Sequence, residues 1–593
     1  MKRTTGTQLV SVLASAVVVA LAGCSSTPSS TQAQAKAQAR AEAQAAAAAE
    51  ARTRSEAKAE AEADAYAVAR GDAARAAAAY APAPASPPPP PALHSISVTG
   101  AMAAPMLMRQ SAPANTEKYA SRTDNPVQRT AEQPASTFSI DVDTGSYANV
   151  RRMLTQGERP PADAVRAEEF INYFDYGHPA PTSREVPFRV TTELAPAPWN
   201  AQRQLLMIGI KGFDAPKANL APANLVFLID TSGSMDEPDK LPLVKSALRQ
   251  LVPQLRAQDR VSMVVYAGSA GLVLPPTPGN RHGEILAALD RLDAGGSTNG
   301  GEGIALAYAM AKQAFVANGV NRVILATDGD FNVGTVDQNA LETMVADQRK
   351  SGIALTTLGF GTGNYNDELS ERLADVGDGN HAYIDSVREA RKVLVQQMGG
   401  TLMTIARDVK IQLEFNPAQV AEYRLIGYEN RVLNREDFAN DKVDAGDIGA
   451  GHQVTALYEI TPASSSAQRV APLRYGTVPA TPAGTSNELA HLRLRYKLPG
   501  QDSSRLIETP VLASQLHATP GEALRFASAV VGFADMLRGG SRMDGWSWDA
   551  MMRTARDARG NDPRGERAEF VQLMEMARDQ IDGADSTRVG VAE

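Results

Sequence analysis

The chain has 593 residues, with 59 Lys+Arg against 67 Asp+Glu and a formal net charge of −8. That acidic balance, with no basic face carrying interleaved aromatics, excludes nucleic acid as the expected partner. The one cysteine, Cys24, rules out internal disulfides.

Lys2 and Arg3 precede an apolar core running from Leu9 to Leu21. This is too short to span a bilayer and fits a secretory signal. The following Leu21-Ala-Gly-Cys24 resembles the bacterial lipobox, which implies lipidation of Cys24 as the first mature residue. By the same resemblance, Ser25 after the cysteine implies anchorage in the outer membrane of a bacterial envelope. No other stretch is long and apolar enough to span a bilayer.

Residues 1–24 therefore read as a lipoprotein signal and 25–131 as a tether. Residues 31–80 alternate alanine with Gln, Lys, Arg and Glu. The period of two is that of a strand, but alanine is a poor strand former and the best helix former, so a solvated, partly helical rod is expected. It lacks large apolar residues at a and d spacing, which argues against a coiled coil. Pro87 to Pro91 add a stiff polyproline segment. A helix over 33–80 would span about 70 Å and the proline-rich part about 30 Å, enough to hold a folded body well away from its anchor.

From about residue 132 the composition is globular, with length for two or three cores. A flanking domain is expected over 132–222, an α/β domain over 223–397 and an α+β domain over 398–593. In the middle block, strands at 224–229, 261–267, 322–327, 353–360 and 381–385 alternate with helices at 240–255, 283–293, 301–316, 338–350, 366–375 and 387–398. Such alternation predicts a doubly wound, mostly parallel sheet with helices on both faces. In the last block, 409–415, 454–460 and 492–496 alternate like half-buried strands of one small antiparallel sheet. Helices at 520–538 and 565–581 cover it, and 461–487 form a Ser/Pro-rich excursion.

The chemistry concentrates in Leu225-Val-Phe-Leu-Ile-Asp230-Thr-Ser232-Gly-Ser234-Met235. An apolar strand ends in an aspartate, and a Ser/Gly loop follows at the strand's carboxyl end, where open α/β sheets bind ligands. Asp-x-Ser-x-Ser gathers a carboxylate and two hydroxyls, an oxygen set suited to a hard cation. Thr298, in Gly295-Gly-Ser-Thr298-Asn-Gly-Gly301, and Asp328, at the end of Arg322-Val-Ile-Leu-Ala-Thr-Asp328, stand where such a site needs further ligands.

Here the chain resembles the von Willebrand factor type A domain, and Asp230, Ser232, Ser234, Thr298 and Asp328 match its metal-ion-dependent adhesion site one by one. The resemblance implies a Rossmann-like fold and Mg²⁺ as cofactor, with Mn²⁺ or Ca²⁺ as alternatives. It also implies hydroxyls that ligate the ion, aspartates that hold its waters, and an open position that takes an Asp or Glu carboxylate from a protein partner. Phe138-Ser-Ile-Asp-Val-Asp143 through Arg152 and Glu168-Glu-Phe-Ile-Asn-Tyr-Phe-Asp-Tyr176 resemble the region before this domain in a family of bacterial lipoproteins.

Other motifs carry less. Asp143-Thr-Gly-Ser146 matches one loop of an aspartic protease, but no second Asp-Thr-Gly supplies the partner carboxylate, and a turn is expected. Asp141-x-Asp143-x-Gly145 lacks the later glutamate of a calcium loop. Gly359-Phe-Gly361-Thr-Gly363-Asn364 mimics a dinucleotide fingerprint with Asn364 in the third glycine's place, at the last strand of its domain rather than the first; a glycine loop beside the metal edge is expected. Asp330 reads as a turn residue. The seven histidines show no zinc-ligand spacing.

The expected function is thus a lipid-anchored binding module with no catalytic residues. The alternatives are a metal-dependent or aspartyl hydrolase, or a structural envelope protein. The sequence leaves the oligomeric state, the biological process and the partner's identity open.

Overall fold

The computed structural model describes residues 115–182, 185–216, 220–267, 269–296, 300–329, 338–474 and 487–589. Cys24, Thr298, Asp330 and the expected signal lie outside the described residues, as do the tether before residue 115 and much of the 461–487 excursion. Among the described residues, no helix is long and apolar enough to cross a membrane.

The N-terminal flank supplies Gln128–Arg129 (β1), Ala135–Ser139 (β2), helices Gly145–Thr155 and Ala167–Asn172, and the hairpin Phe188–Ala197 (β3) with Asn200–Gly212 (β4). Ordered contacts begin before these elements. Thr116 N donates to Gly363 O at 2.7 Å and Lys118 N to Tyr365 O at 2.9 Å. This segment shows no apolar periodicity, because polar contacts hold it in place.

The middle block forms Ala223–Asp230 (β5), Arg260–Tyr266 (β6), Ala270–Pro278 (β7), Val320–Thr327 (β8), Ala354–Gly359 (β9) and His381–Tyr383 (β10). They lie in the order β10-β9-β8-β5-β6-β7, all parallel except β7. Both faces are buried, which explains the unbroken apolar runs. Leu225, Phe227 and Ile229 enter one core cluster, and Val226 and Leu228 the other. Strand β7, which carries Pro275, Pro276 and Pro278, was not among the expected strands. At the sheet edge, proline costs no ladder bond on the outer side. The expected 387–398 helix is Val387–Arg391, continued by a π-helical turn Lys392–Gln396 and a short helix Met398–Leu402.

Beyond it come Thr404–Phe415 (β11), Val420–Ile426 (β12), Ile448–Gly449 (β13), Gln453–Pro462 (β14), Glu488–Lys497 (β15) and Ser504–Leu512 (β16). The single small sheet expected here is replaced by two sheets shared with the N-terminal flank. One runs β1-β12-β14-β4-β3; the other runs β13-β11-β15-β16, with β2 on β11. Alternation told which face of each strand is buried, but not which strand it pairs with. The two sheets enclose a common core: Leu206, Ile208 and Ile210 of β4 meet Ile411, Leu413, Leu492 and Leu494. The opposite face of β4, Leu205 and Met207, packs under helices Glu522–Arg538 and Glu566–Val589 through Phe526, Phe533 and Phe570. The expected helical cover is therefore present, with an additional helix, Trp548–Asp557.

Candidate metal centre

Strand β5 lies between β8 and β6. The chain leaves β5 toward one side and returns on the other, so the β5/β8 seam is the topological switch point of the sheet. Asp230 is the last residue of β5, and Asp328 follows β8 directly, which brings the two carboxylates to this seam.

Both aspartates have no solvent exposure. Asp230 Oδ1 accepts from Ser232 N at 2.9 Å, folding the loop back over the strand end, and Oδ2 accepts from Thr327 Oγ1 at 3.4 Å. Burial, offset by the hydrogen bonds from Ser232 and reinforced by the Asp328 charge, pushes the Asp230 carboxyl up to about 6. Met235, fully buried, pins the Gly233–Asp236 turn to the core. The Ser232 and Ser234 hydroxyls then stand 3.0 Å apart, with Ser232 buried and Ser234 open to solvent.

The loop carrying Thr298 is stitched to this one. Gly295 N donates to Thr231 O at 2.8 Å, and Gly233 N donates to Gly296 O at 3.1 Å. Thr298 follows two residues after that contact.

Three residues that sequence reasoning missed complete the edge. Lys240, 5 % exposed, donates through Nζ to Asp328 Oδ2 at 3.0 Å and to Asn364 Oδ1 at 3.1 Å. Asn364 Nδ2 also donates to Asp328 Oδ2 at 3.1 Å, and Thr327 braces Asp230. Asn364 had been noticed only as a flaw in a nucleotide fingerprint. Its glycine loop lies at the edge that carries Asp328, with Gly361 at φ +73° and Gly363 at φ +90°. A side chain at Gly361 would collide with Lys240. Lys240 gave no signal, as a lone lysine before a helix reads as a solvated residue.

The donor set fits a hard divalent cation. Among the described residues it is all oxygen, two neutral hydroxyls and two buried carboxylates, and the carboxylates are opposed by one buried ammonium, leaving net negative charge. Among the described residues, no group of three or more His, Cys, Asp or Glu could hold a metal by itself. A site here therefore depends on its hydroxyls.

The other candidates resolve into structural parts. Asp143 is buried and its Oδ1 accepts from His381 N at 3.0 Å, tying the start of helix Gly145–Thr155 to β10. Its own N–H donates to Asp141 Oδ1 at 3.0 Å, and Arg431 lies 3.2 Å from Asp141 and 3.9 Å from Asp143. Burial and the Asp141 charge raise the Asp143 carboxyl well above the usual range.

Comparison with known proteins agrees with this architecture. Residues 224–397 match the sequence model of the von Willebrand factor type A domain, 113–207 that of von Willebrand factor, and 400–580 that of "Uncharacterized protein YfbK, C-terminal". The chain is 49% identical over 486 residues to the "Uncharacterized protein YfbK" of Escherichia coli (strain K12), covering 81% of this chain and 84% of that one. It is 28% identical over 268 residues to human inter-alpha-trypsin inhibitor heavy chain H3, covering 42% of this chain but 30% of that one. Among solved structures, a von Willebrand factor type A protein from Catenulispora acidiphila aligns at 15% identity and a TM-score of 0.36, covering 66% of this chain and 95% of that one.

Proposed function

The chain belongs to the family of the E. coli YfbK protein, built around a von Willebrand factor type A domain, and on that premise we propose a lipid-anchored envelope protein that binds a carboxylate of a protein partner through a divalent cation. Domains of this type are in general interaction or adhesion modules rather than enzymes. Asp230, Ser232, Ser234, Thr298 and Asp328 hold the cation, Mg²⁺ or Mn²⁺, and Cys24 carries the lipid. The observation that carries the reading is the convergence of two buried carboxylates and two hydroxyls at the switch point of the sheet.

When bound, the cation supplies an electrophilic position for an anionic oxygen. The chain's own residues set how strongly. Ser232 and Ser234 are neutral, and Lys240 cancels one of the two carboxylate charges. An ion held there stays poorly neutralised and favours an acidic side chain over a carbonyl. Ser234 gives the partner access from solvent, while buried Met235 anchors the loop and Thr327 donates to Asp230 Oδ2. The described part of the site offers no nucleophile paired with a general base, which favours binding over hydrolysis.

Calorimetric Mg²⁺ titration, paired with crosslinked capture from membranes with and without Mg²⁺, tests the site. Asp230→Ala loses metal binding and partner capture together. Unchanged metal affinity in that variant means the site is misplaced; lost metal with undiminished capture supports a purely structural role for the ion. In the same preparations, Cys24→Ser loses fatty-acid labelling and accumulates as unprocessed precursor.

A further inference from the structure

Residues 115–119 form a strap along the loop 363–367. Thr116 donates to Gly363 O through N at 2.7 Å and through Oγ1 at 3.0 Å. Lys118 N donates to Tyr365 O at 2.9 Å, Asp367 N donates back to Lys118 O at 3.1 Å, and Lys118 and Asn366 pair as one parallel bridge. A single side chain locks the strap down. The buried Glu117 accepts from Gly363 N at 2.9 Å through Oε1 and from Tyr119 Oη at 2.6 Å through Oε2. Arg152 Nη2 donates to the same two oxygens at 3.1 Å and 2.9 Å. A buried carboxylate with this many donors has little freedom to move.

The same loop also touches the metal edge. Asn364 stands between the strap-bonded Gly363 and Tyr365, and its side chain goes to the two charged groups of that edge. Nδ2 donates to Asp328 Oδ2 at 3.1 Å, and Oδ1 accepts from Lys240 Nζ at 3.1 Å. The backbones meet just as closely. Gly329, next to Asp328, has φ +90°, and a Cβ there would lie 2.1 Å from Asn366 N and 2.7 Å from Tyr365 Cα. The loop is therefore in contact with both the strap and the Asp328 turn.

Asn364 acts on Asp328 in two ways. Its amide fixes the rotation of the carboxylate, and its carbonyl oxygen shares the Lys240 ammonium that would otherwise serve Asp328 alone. With Asn364 displaced, the carboxylate is less ordered and more fully paired with Lys240, and both changes oppose a cation. We propose that docking of the strap and binding of the cation are coupled through Asn364, so that freeing residues 115–119 lowers the affinity of the metal edge for Mg²⁺. The metal edge then responds to whatever holds or pulls the chain N-terminal to Asn115. This rests on the metal site proposed above. Coupling of this kind is reciprocal, so Mg²⁺ also holds the strap down, by the same factor.

Mg²⁺ titration calorimetry and the rate of trypsin cleavage after Lys118, both on the full chain in non-ionic detergent, test the coupling. Glu117→Ala removes the lock, and Arg152 keeps Asn149 and Gln156 as acceptors. Thr116→Pro, at an exposed position, removes both donors to Gly363 O without touching a buried charge, and decides alone if Glu117→Ala does not fold. Each variant is expected to speed cleavage after Lys118 and to weaken Mg²⁺ binding at least threefold. Saturating Mg²⁺ slows that cleavage at least threefold in the wild type and leaves it unchanged in Asn364→Ala. In the Asn364→Ala background the strap substitutions weaken Mg²⁺ binding no further, which a merely structural strap would not produce. Cleavage that is not accelerated in the folded variants overturns the strap. Accelerated cleavage with Mg²⁺ affinity unchanged or raised, or an equal further loss in the Asn364→Ala background, overturns the coupling alone. A wild-type chain that binds no Mg²⁺ overturns the metal site and the coupling together.

Discussion

Lys240 Nζ lies 3.0 Å from Asp328 Oδ2, with the two side chains 6% and 0% exposed. The Asp328 carboxylate, proposed above to hold the cation, is already opposed by the chain's own ammonium. Removing that ammonium leaves two buried carboxylates close together, Asp230 and Asp328, with only the ion to oppose them. Lys240→Met is expected to lose about 3 kcal/mol of stability without Mg²⁺, the usual cost of orphaning one member of a buried pair. With saturating Mg²⁺ the deficit shrinks, and Mg²⁺ affinity rises several-fold. Thermal unfolding with and without Mg²⁺ checks this, and equal losses in both conditions contradict it.

Arg151 joins the three parts of the folded chain. From the helix Gly145–Thr155 it reaches Asp385 at 2.6 Å, Glu389 at 2.7 Å and Glu569 at 3.2 Å, with Asp385 and Glu389 nearly buried. Arg151→Met is expected to cost about 3–5 kcal/mol in urea unfolding, because it leaves the nearly buried Asp385 without its guanidinium and Glu389 with only Tyr173 and the nearby Lys392 charge. The Arg249–Asp290 pair is exposed, at 45% and 60%, so Arg249→Ala costs under about 1 kcal/mol. Comparable effects for the two variants refute the reading of Arg151 as the junction.

Glu168 is fully buried, and neither carboxylate oxygen has a hydrogen-bond partner. Burial, reinforced by Glu429, Glu169 and Asp141, pushes it up to about 8. A carboxyl raised above its unfolded value of about 4.3 stabilises the fold fully below that value. The contribution disappears as pH rises through about 8, when the native state must ionise it. Stability should therefore fall between about pH 4 and 8 from this group. Glu168→Gln, which stays neutral, is expected to flatten that part of the profile and to gain on the order of 2 kcal/mol at pH 9. Urea midpoints across pH for the two proteins provide the measurement, and parallel profiles count against a protonated Glu168.

The central domain was legible in the sequence because its strands are buried on both faces and its helices carry one apolar stripe. Most elements between Ala223 and Arg391 announce themselves locally, except the proline-bearing β7, whereas the π-helical turn Lys392–Gln396 and the short helix Met398–Leu402 carried no separate signal. The flanks were not legible in the same way. Strand β14 pairs with β4, some 250 residues earlier, and β2 pairs with β11. Nothing in Val454–Ile460 or Val409–Phe415 names those partners, since period-two alternation fixes a face and not a neighbour. At the metal edge, Asp230, Ser232, Ser234 and Asp328 were visible as a pattern. Lys240 and Asn364 act only through contacts made by separate elements, and no spacing marks them.

The start of the folded body was read as residue 132, where apolar periodicity begins, yet polar contacts hold the chain from 115 onward. Glu117 and Arg152 form an ion pair at 2.9 Å with exposures of 3% and 6%, and Glu117 Oε1 also accepts from Gly363 N at 2.9 Å. Arg122 pairs with Glu371 at 2.9 Å, and Arg538 pairs with Asp124. Limited trypsin digestion should therefore cut before residue 115 and spare Lys118, Arg122 and Arg129. The protected fragment begins at Gln110, after Arg109. Glu117→Ala, which leaves Arg152 without its carboxylate, frees the backbone around Lys118 and Arg122 and moves the cut inward. Intact-mass measurement of the fragments distinguishes the two starts, and a wild-type fragment beginning at Thr130 would show that the strap along 363–367 does not hold.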